Sequence, residues 1–245
     1  MNTSPDRLAE LRVLLVGTGG VGAPCAVALA EAGVGTLVLA DEDRVELTNL
    51  HRQLLFEEGD VGQPKLDAAK RSLEHRKPGL SIDLFRGRAL PDTAYALAQS
   101  VDVVVDATDN FASRFLLADA CHLAEKPIVH AAAVRWIGTV VSTGARGAPC
   151  YRCLFEDVPA SAPDCATAGI VGPVCGVVGG IAAEMAIAAA LGDARLLGRI
   201  VTFDGRTDDL RLLTVPKRRD CELCGHAPTI VDLAETRYTG GHPAA

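Results

Sequence analysis

The sequence predicts an α/β fold, a parallel sheet wound by helices on both faces, and three observations predict it. The chain opens with a strand, a glycine turn, a helix and a second strand ending in an acid. Short apolar runs then alternate with helical spacings. Two Cys-x-x-Cys pairs, far apart in sequence, mark the C-terminal part. At 245 residues the chain can bury one large domain, or one domain and a small appendage.

Taken in order, residues 13–16 (Val-Leu-Leu-Val) suit a buried parallel strand. Gly17-Thr18-Gly19-Gly20-Val21-Gly22 stops that run, and the alanine-rich stretch 23–32 follows as a helix. Gly33 and Gly35 break the chain before a second strand, 36–40, which ends at Asp41. This is the opening unit of a Rossmann-like doubly wound sheet. Residues 64–73 place Leu66, Ala69 and Leu73 at helical spacing, with Pro64 at the first helical position. Residues 81–85 alternate as a strand, and 101–105 form another, apolar except for Asp102 and closed by Asp106. A helix over 111–124 and strands over 127–132 and 137–142 follow. The apolar stretch from Gly169 reads as a glycine-rich lead-in to a buried helix over 182–191, and 200–203 pairs with 210–215 as late strands. Residues 156–168, with Pro159, Pro163 and small residues, read as a functional loop. Residues 236–245 read as a loose tail.

Composition narrows the function. The chain is 49% hydrophobic with a formal net charge of −7, which argues against a nucleic-acid partner. Residues 1–10 carry no basic segment leading into an apolar one, so no secretory signal is expected. The stretch 169–191 holds Pro173 and Glu184 and lacks flanking basic residues on both sides, so it is expected in the protein core and not in a membrane. Eight cysteines in such a chain point to metal or thiol chemistry in a cytoplasmic setting.

The glycine turn between strand and helix lets backbone N–H groups approach phosphate oxygens, and Asp41 stands where an acid accepts from ribose hydroxyls. Dehydrogenases share that much. The residues that follow separate ATP from NAD: Asp43, Asn49, Arg52, Gln53 and Lys65. Lys65 falls in the first turn of its helix, where a cation opposes the macrodipole by a few tenths of about 1 kcal/mol and a bound polyphosphate reverses the sign. Arg52 can fork two phosphate oxygens while Lys65 supplies a point charge. Asp109 and Asn110 follow the strand that ends at Asp106; Asp109 suits Mg²⁺, and either residue could equally cap the next helix.

Cys150, Cys153, Cys221 and Cys224 supply the four thiolates of a tetrahedral structural Zn²⁺ site, with Gly225 suited to a knuckle turn. Cys25, Cys121 and Cys175 lie in apolar stretches and read as packed residues. Cys165, in the polar loop, is a candidate nucleophile or persulfide acceptor.

Together these pieces resemble the ThiF/MoeB family, bacterial relatives of ubiquitin-activating enzymes. The matching stretches are Gly17 to Gly22, Asp41 to Asp43, Asn49-Leu50-His51-Arg52-Gln53, Gly62-Gln63-Pro64-Lys65, Asp106 to Asn110, Cys150 to Cys153, Ala168 to Pro173 and Cys221 to Cys224, in the family's order. The wording near Gly33 to Asp41 and near Cys165 is most similar to the ThiF, thiamine-pathway branch. The resemblance implies an adenylation domain over 1–225, its nucleotide part about 11–142 and its zinc-stapled part about 143–225, with 226–245 as a C-terminal tail. It implies ATP with Mg²⁺ as the nucleotide and adenylation of the Gly-Gly carboxylate of a small ubiquitin-like sulfur carrier. Gly17, Gly19, Gly20, Gly22, Asp41, Asp43, Asn49, Gln53 and Asn110 would line the site. Asp41 would hold the ribose, Arg52 and Lys65 the phosphates, and Asp109 the metal. Cys165 would bond to the carrier, and the protein would be a homodimer. Relatives usually open with a helix bearing Arg-Tyr-x-Arg-Gln, whose arginine reaches the partner subunit's nucleotide, and neither Arg7 nor Arg12 has that context. Without the rhodanese extension of some relatives, a separate persulfide donor is expected. Two other readings are a non-catalytic scaffold that docks the carrier, and an NAD-dependent oxidoreductase, which leaves Arg52, Lys65 and the cysteine clip without a task.

Overall fold

The computed structural model describes residues 5–143, 149–157 and 169–238. In chain order its elements are α1 (Pro5–Glu10), β1 (Arg12–Val16), α2 (Gly22–Ala32), β2 (Thr36–Asp41), α3 (Lys65–Arg76), β3 (Ser81–Arg86), α4 (Ala94–Gln99) and β4 (Val103–Asp106). There follow α5 (Phe111–Leu123), β5 (Ile128–Val134), β6 (Ile137–Thr143), α6 (Tyr151–Leu154), α7 (Gly172–Ala190), β7 (Arg199–Asp204) and β8 (Asp209–Thr214). A 3₁₀ segment, Leu47–Arg52, lies between β2 and α3.

The strands form one sheet in the order β3-β2-β1-β4-β5-β6-β7-β8. The first five are parallel, and β6, β7 and β8 extend the sheet antiparallel. Both faces are covered, which is why the parallel strands are apolar along their length rather than alternating with polar residues. Side chains still alternate between faces: Val13 and Leu15 join one core, Leu14 and Val16 the other. The first core takes residues of α2, α3 and α7, and the second takes residues of α4 and α5.

The expected elements are present, with three differences. The strand expected from residue 101 begins at Val103, because exposed Asp102 turns away to accept a 2.8 Å hydrogen bond from the Arg12 amide. The glycine-rich lead-in is itself helical, so α7 begins ten residues before the expected start, at Gly172 rather than 182. Its glycines serve packing: a Cβ at Gly179 would lie 2.7 Å from Pro24 Cγ and 2.8 Å from Val21 O, so α7 and α2 touch backbone to backbone. By length and composition α7 could cross a membrane, yet it lies against the sheet and α2. The stretch expected to be a loose tail from residue 236 is anchored at Tyr238, which is buried. A third, small core gathers the four paired cysteines with Val215, Leu223 and Ile230.

Candidate active site and metal centre

The crevice lies where the winding reverses. β1 is flanked by β2 and β4, with Val16 in register with both Ala40 and Asp106, so three loops leave one edge of the sheet together. The glycine turn after β1 is shaped by close approach. Gly17 has a φ of 90°, and a Cβ there would lie 2.9 Å from Ala107 O; a Cβ at Gly22 would lie 1.9 Å from Gly17 O. These two glycines are therefore packing requirements. Gly19 and Gly20 instead face the Gln53 amide nitrogen and the aliphatic stem of Arg52, at 3.5 and 3.3 Å from their Cβ positions. No side chain caps α2, and its Ala23 and Cys25 amides donate to Gly19 O at 2.8 Å and Val21 O at 3.2 Å; the helix end still turns the positive end of its dipole towards an anion.

Asp41 Oδ2 accepts from the Thr18 amide at 2.7 Å and the Thr18 hydroxyl at 2.8 Å, while Oδ1 accepts from the Asp43 amide at 2.9 Å. The acid expected at the ribose thus also braces the turn through Thr18. Asp43 takes a 2.7 Å hydrogen bond from Lys65 Nζ, and its carbonyl takes the Lys65 amide at 2.9 Å. Lys65 is only 6% exposed, so it is not a solvated surface charge. Arg52 donates to Asn49 Oδ1 at 2.7 Å from the 3₁₀ segment. Gln53 is buried and its Oε1 has no partner among the described residues, an orphan acceptor beside the turn of the kind a ligand satisfies. Asp109 is exposed and makes no hydrogen bond or ion pair among the described residues. Asn110 caps α5, accepting from the Ser113 amide at 2.8 Å and from Arg88 at 3.2 Å.

A continuous run of contacts links these groups. Lys65 meets Asp43, Asp43 meets Asp41, Asp41 meets Thr18, Gly20 meets Arg52, and Gly17 meets Ala107, two residues before Asp109. A cavity of about 260 Å³ beside Asp41 and Asp43 is closed by Pro64, Leu66 and Arg86.

Sequence reasoning missed what lies beneath. Asp106 is fully buried: Oδ1 accepts from the Thr108 amide at 2.9 Å and hydroxyl at 2.6 Å, and Oδ2 lies 2.7 Å from His130 Nδ1. Burial works to raise the Asp106 carboxyl, but Arg114, His130 and Thr108 outweigh it and hold it below the ordinary carboxylate range. Burial lowers His130, with Asp106 pulling the other way. A histidine inside an apolar strand was the available signal.

At the other end, Cys150 Sγ lies 3.5 Å from Cys221 Sγ, Cys153 Sγ lies 3.3 Å from Cys224 Sγ, and all four sulfurs fall within 4.8 Å of one another, buried. A tetrahedral Zn²⁺ with bonds of about 2.3 Å sets sulfurs about 3.8 Å apart, so the set fits that ion with no position left open. Gly225 is required: its Cβ would lie 2.4 Å from Cys221 O. A hydrogen bond from Cys150 brings the Cys224 thiol down to about 4, and that hydrogen bond with burial pushes Cys150 up. One thiolate among crowded thiols is what a soft divalent cation completes. Arg152, inside the first knuckle, forks Asp119 with Nε at 2.9 Å and Nη2 at 2.9 Å, and Tyr238 donates to the same carboxylate at 2.8 Å.

Cys25 and Cys175 are buried, pushed up to about 12 and about 11 by burial, with Arg52 opposing the shift at Cys175; Cys121 is buried and raised likewise. Cys165 lies outside the described residues, as does most of the loop expected over 156–168.

A family model described as the ThiF family matches residues 2–224. "Adenylyltransferase and sulfurtransferase MOCS3" of Anopheles gambiae is 41% identical over 233 residues, covering 94% of this chain and 53% of that protein. The chain thus spans about half the length of such relatives. "Sulfur carrier protein adenylyltransferase" of Thermus thermophilus is 37% identical over 238 residues, covering 94% of this chain and 88% of that one. In fold, E. coli MccB in complex with MccA-N7isoASN superposes with a TM-score of 0.79 at 24% identity, over 91% of this chain and 69% of that one.

Proposed function

The chain belongs to the ThiF family, and from that premise we propose that it uses ATP to adenylate the C-terminal Gly-Gly carboxylate of a small ubiquitin-like sulfur-carrier protein. The observation that carries this reading is the gathering of Arg52, Lys65 and Asp41 around one glycine turn, with Asp109 on the adjoining loop. Neither cation has a task in hydride transfer.

A carboxylate oxygen of the carrier attacks the α-phosphorus, the bond from that phosphorus to the bridging oxygen of the β-phosphate breaks, and pyrophosphate leaves. An acyl-adenylate remains. No proton need move, so the protein's part is positioning and charge stabilisation. The turn's amides and Arg52, held by Asn49, receive the phosphates. Lys65 exchanges its Asp43 partner for a phosphate oxygen or bridges the two. Asp41, braced by Thr18, keeps lone pairs for the ribose hydroxyls. Asp109 would hold Mg²⁺, which when bound neutralises charge on the triphosphate oxygens. Cys150, Cys153, Cys221 and Cys224 would hold Zn²⁺ in a purely structural role. Two chains would form the working homodimer, and a separate donor would load Cys165 with sulfane sulfur as a persulfide, whose outer sulfur would attack the acyl-adenylate carbonyl and displace AMP, joining Cys165 to the carrier.

Pyrophosphate exchange into ATP tests the reading. Exchange that depends on a carrier ending in Gly-Gly is the expected result. ATP binding without exchange, across carriers of that type, would favour the scaffold reading instead.

A further inference from the structure

We propose that His130 is a positioning residue for this reaction: through Asp106 it fixes the turn that carries Asp109, and so sets how tightly the nucleotide complex holds its divalent cation. The inference rests on the adenylation reading above.

Thr108 is held on three sides by buried charge. Asp106 Oδ1 takes its amide and its hydroxyl, and Arg114 Nη2 donates to its carbonyl and, at 3.0 Å, to Ala131 O on β5. Both peptide planes flanking Thr108 are thereby fixed, and the second leads directly to Asp109. Asp106 can do this only if its own carboxylate cannot rotate. The atom that prevents rotation is His130 Nδ1, 2.7 Å from Oδ2, on a ring that is 1% exposed and packed 4.3 Å from the Tyr151 ring.

The far side of the ring specifies its form. His130 Nε2 is buried and has no partner among the described residues. A hydrogen there would be a buried unsatisfied donor, whereas a bare ring nitrogen at that position costs less. The ring is therefore neutral with its hydrogen on Nδ1, donating to Asp106. Arg114, not the histidine, is then the positive charge that balances the buried carboxylate, and His130 supplies direction. Groups bonded directly to a metal ligand commonly change metal affinity or activity by about 10–100-fold when lost, and His130, acting through Asp106 and Thr108, is placed at the low end of that range.

The test is Mn²⁺ binding to the protein with a non-hydrolysable ATP analogue, followed by electron paramagnetic resonance, beside carrier-dependent exchange. His130→Ala is expected to weaken Mn²⁺ binding about 10-fold and lower the turnover of exchange in step, leaving metal-free nucleotide affinity and the KM for carrier within about twofold. His130→Asn places an amide donor where Nδ1 stood and is expected to recover most of the loss. Thr108→Val, on the other side of Asp106, should reproduce the His130→Ala pattern without opening the core. Unchanged Mn²⁺ affinity in folded His130→Ala and in Thr108→Val would overturn the inference. So would equal losses in His130→Ala and His130→Asn, or a loss of nucleotide affinity as large as that of metal affinity. A parent chain that binds Mn²⁺ with the nucleotide yet never exchanges would overturn the adenylation reading while leaving this one measurable. A parent that binds no Mn²⁺ with the nucleotide would overturn both.

Discussion

At the proposed nucleotide edge several side chains stand at the boundary with water: Asp109 and Asp43 are exposed and Arg52 is half-buried, while Lys65 and Gln53 are withdrawn into the protein. At the cysteine end, four sulfurs are buried together with Val215, Leu223 and Ile230, and the charged pair beside them, Arg152 and Asp119, is buried too. Both regions join parts of the chain distant in sequence, and the chemistry differs because the tasks differ. A site proposed to admit a triphosphate can leave an acceptor unpaired for its ligand, as Gln53 Oε1 is among the described residues. A site that must hold a segment in place satisfies every ligand position and excludes water. Stability and activity should therefore respond to mutation in opposite ways at the two ends.

The largest effect is expected at the closed end. Cys221→Ser removes one of the four cysteines proposed to hold Zn²⁺ and leaves the remaining sulfurs crowded around an incomplete site. Structural zinc contributes about 10–16 kcal/mol in isolated fingers. Here the main cores persist, so a loss of several kcal/mol is expected, about 5 or more, with release of the segment after Val215. Metal stoichiometry, calorimetry and limited proteolysis read this together. Full zinc content and an unchanged transition in the variant would break the contrast between the two regions.

Next in size is Asp109→Ala. Removing a carboxylate proposed to hold the cation should lower exchange by about 10²–10³-fold. Because the side chain is exposed and makes no hydrogen bond or ion pair among the described residues, stability should shift by no more than about 0.5 kcal/mol. Exchange at the parent rate would remove Asp109 from the site.

The same contrast explains which parts of the molecule the sequence made legible. The parallel strands were readable because burial on both faces leaves unbroken apolar runs, as at residues 13–16 and 36–40. The cluster of four paired cysteines was readable because the spacing of the pairs is that of a metal knuckle. The glycine turn was readable as a turn, but not the division of labour within it, since Gly17 and Gly22 are fixed by contacts with Ala107 and with each other that only the fold creates. α7 was half-read because its glycines signal loop in isolation and close helix packing in context. The buried pairs Asp106 with His130 and Asp119 with Arg152 were invisible for a further reason. Their partners are 24 and 33 residues apart, and a single acid or histidine carries no sign of its partner. Arg237 and Tyr238, in the stretch expected to be a loose tail, are tied down: Arg237 donates to Asp232 O at 2.7 Å, and Tyr238 reaches Asp119, 119 residues away in sequence.

That last contact supplies the smallest test of the comparison. Tyr238 is 8% exposed, and its ring lies in the core that α4 and α5 share, so Tyr238→Phe keeps the packing and deletes one hydrogen bond. Asp119 retains the Arg152 fork, which places the expected cost at about 1–2 kcal/mol, the range for a hydrogen bond to a charged group, rather than the larger penalty of an abandoned buried charge. Arg152 also lies between Cys150 and Cys153, so Asp119 joins the first cysteine pair to the segment that carries Tyr238. Denaturant titration of Tyr238→Phe measures the loss, and the exchange rate should stay at the parent value because no member of this network reaches the glycine turn. A variant of unchanged stability would mean that Tyr238 rests against Asp119 without holding it. A variant of parent stability that nevertheless loses exchange would show that the closed end communicates with the open one, and the separation of tasks drawn here would have to be redrawn around α5, the helix that runs from Asn110 at the nucleotide edge to the neighbourhood of Asp119.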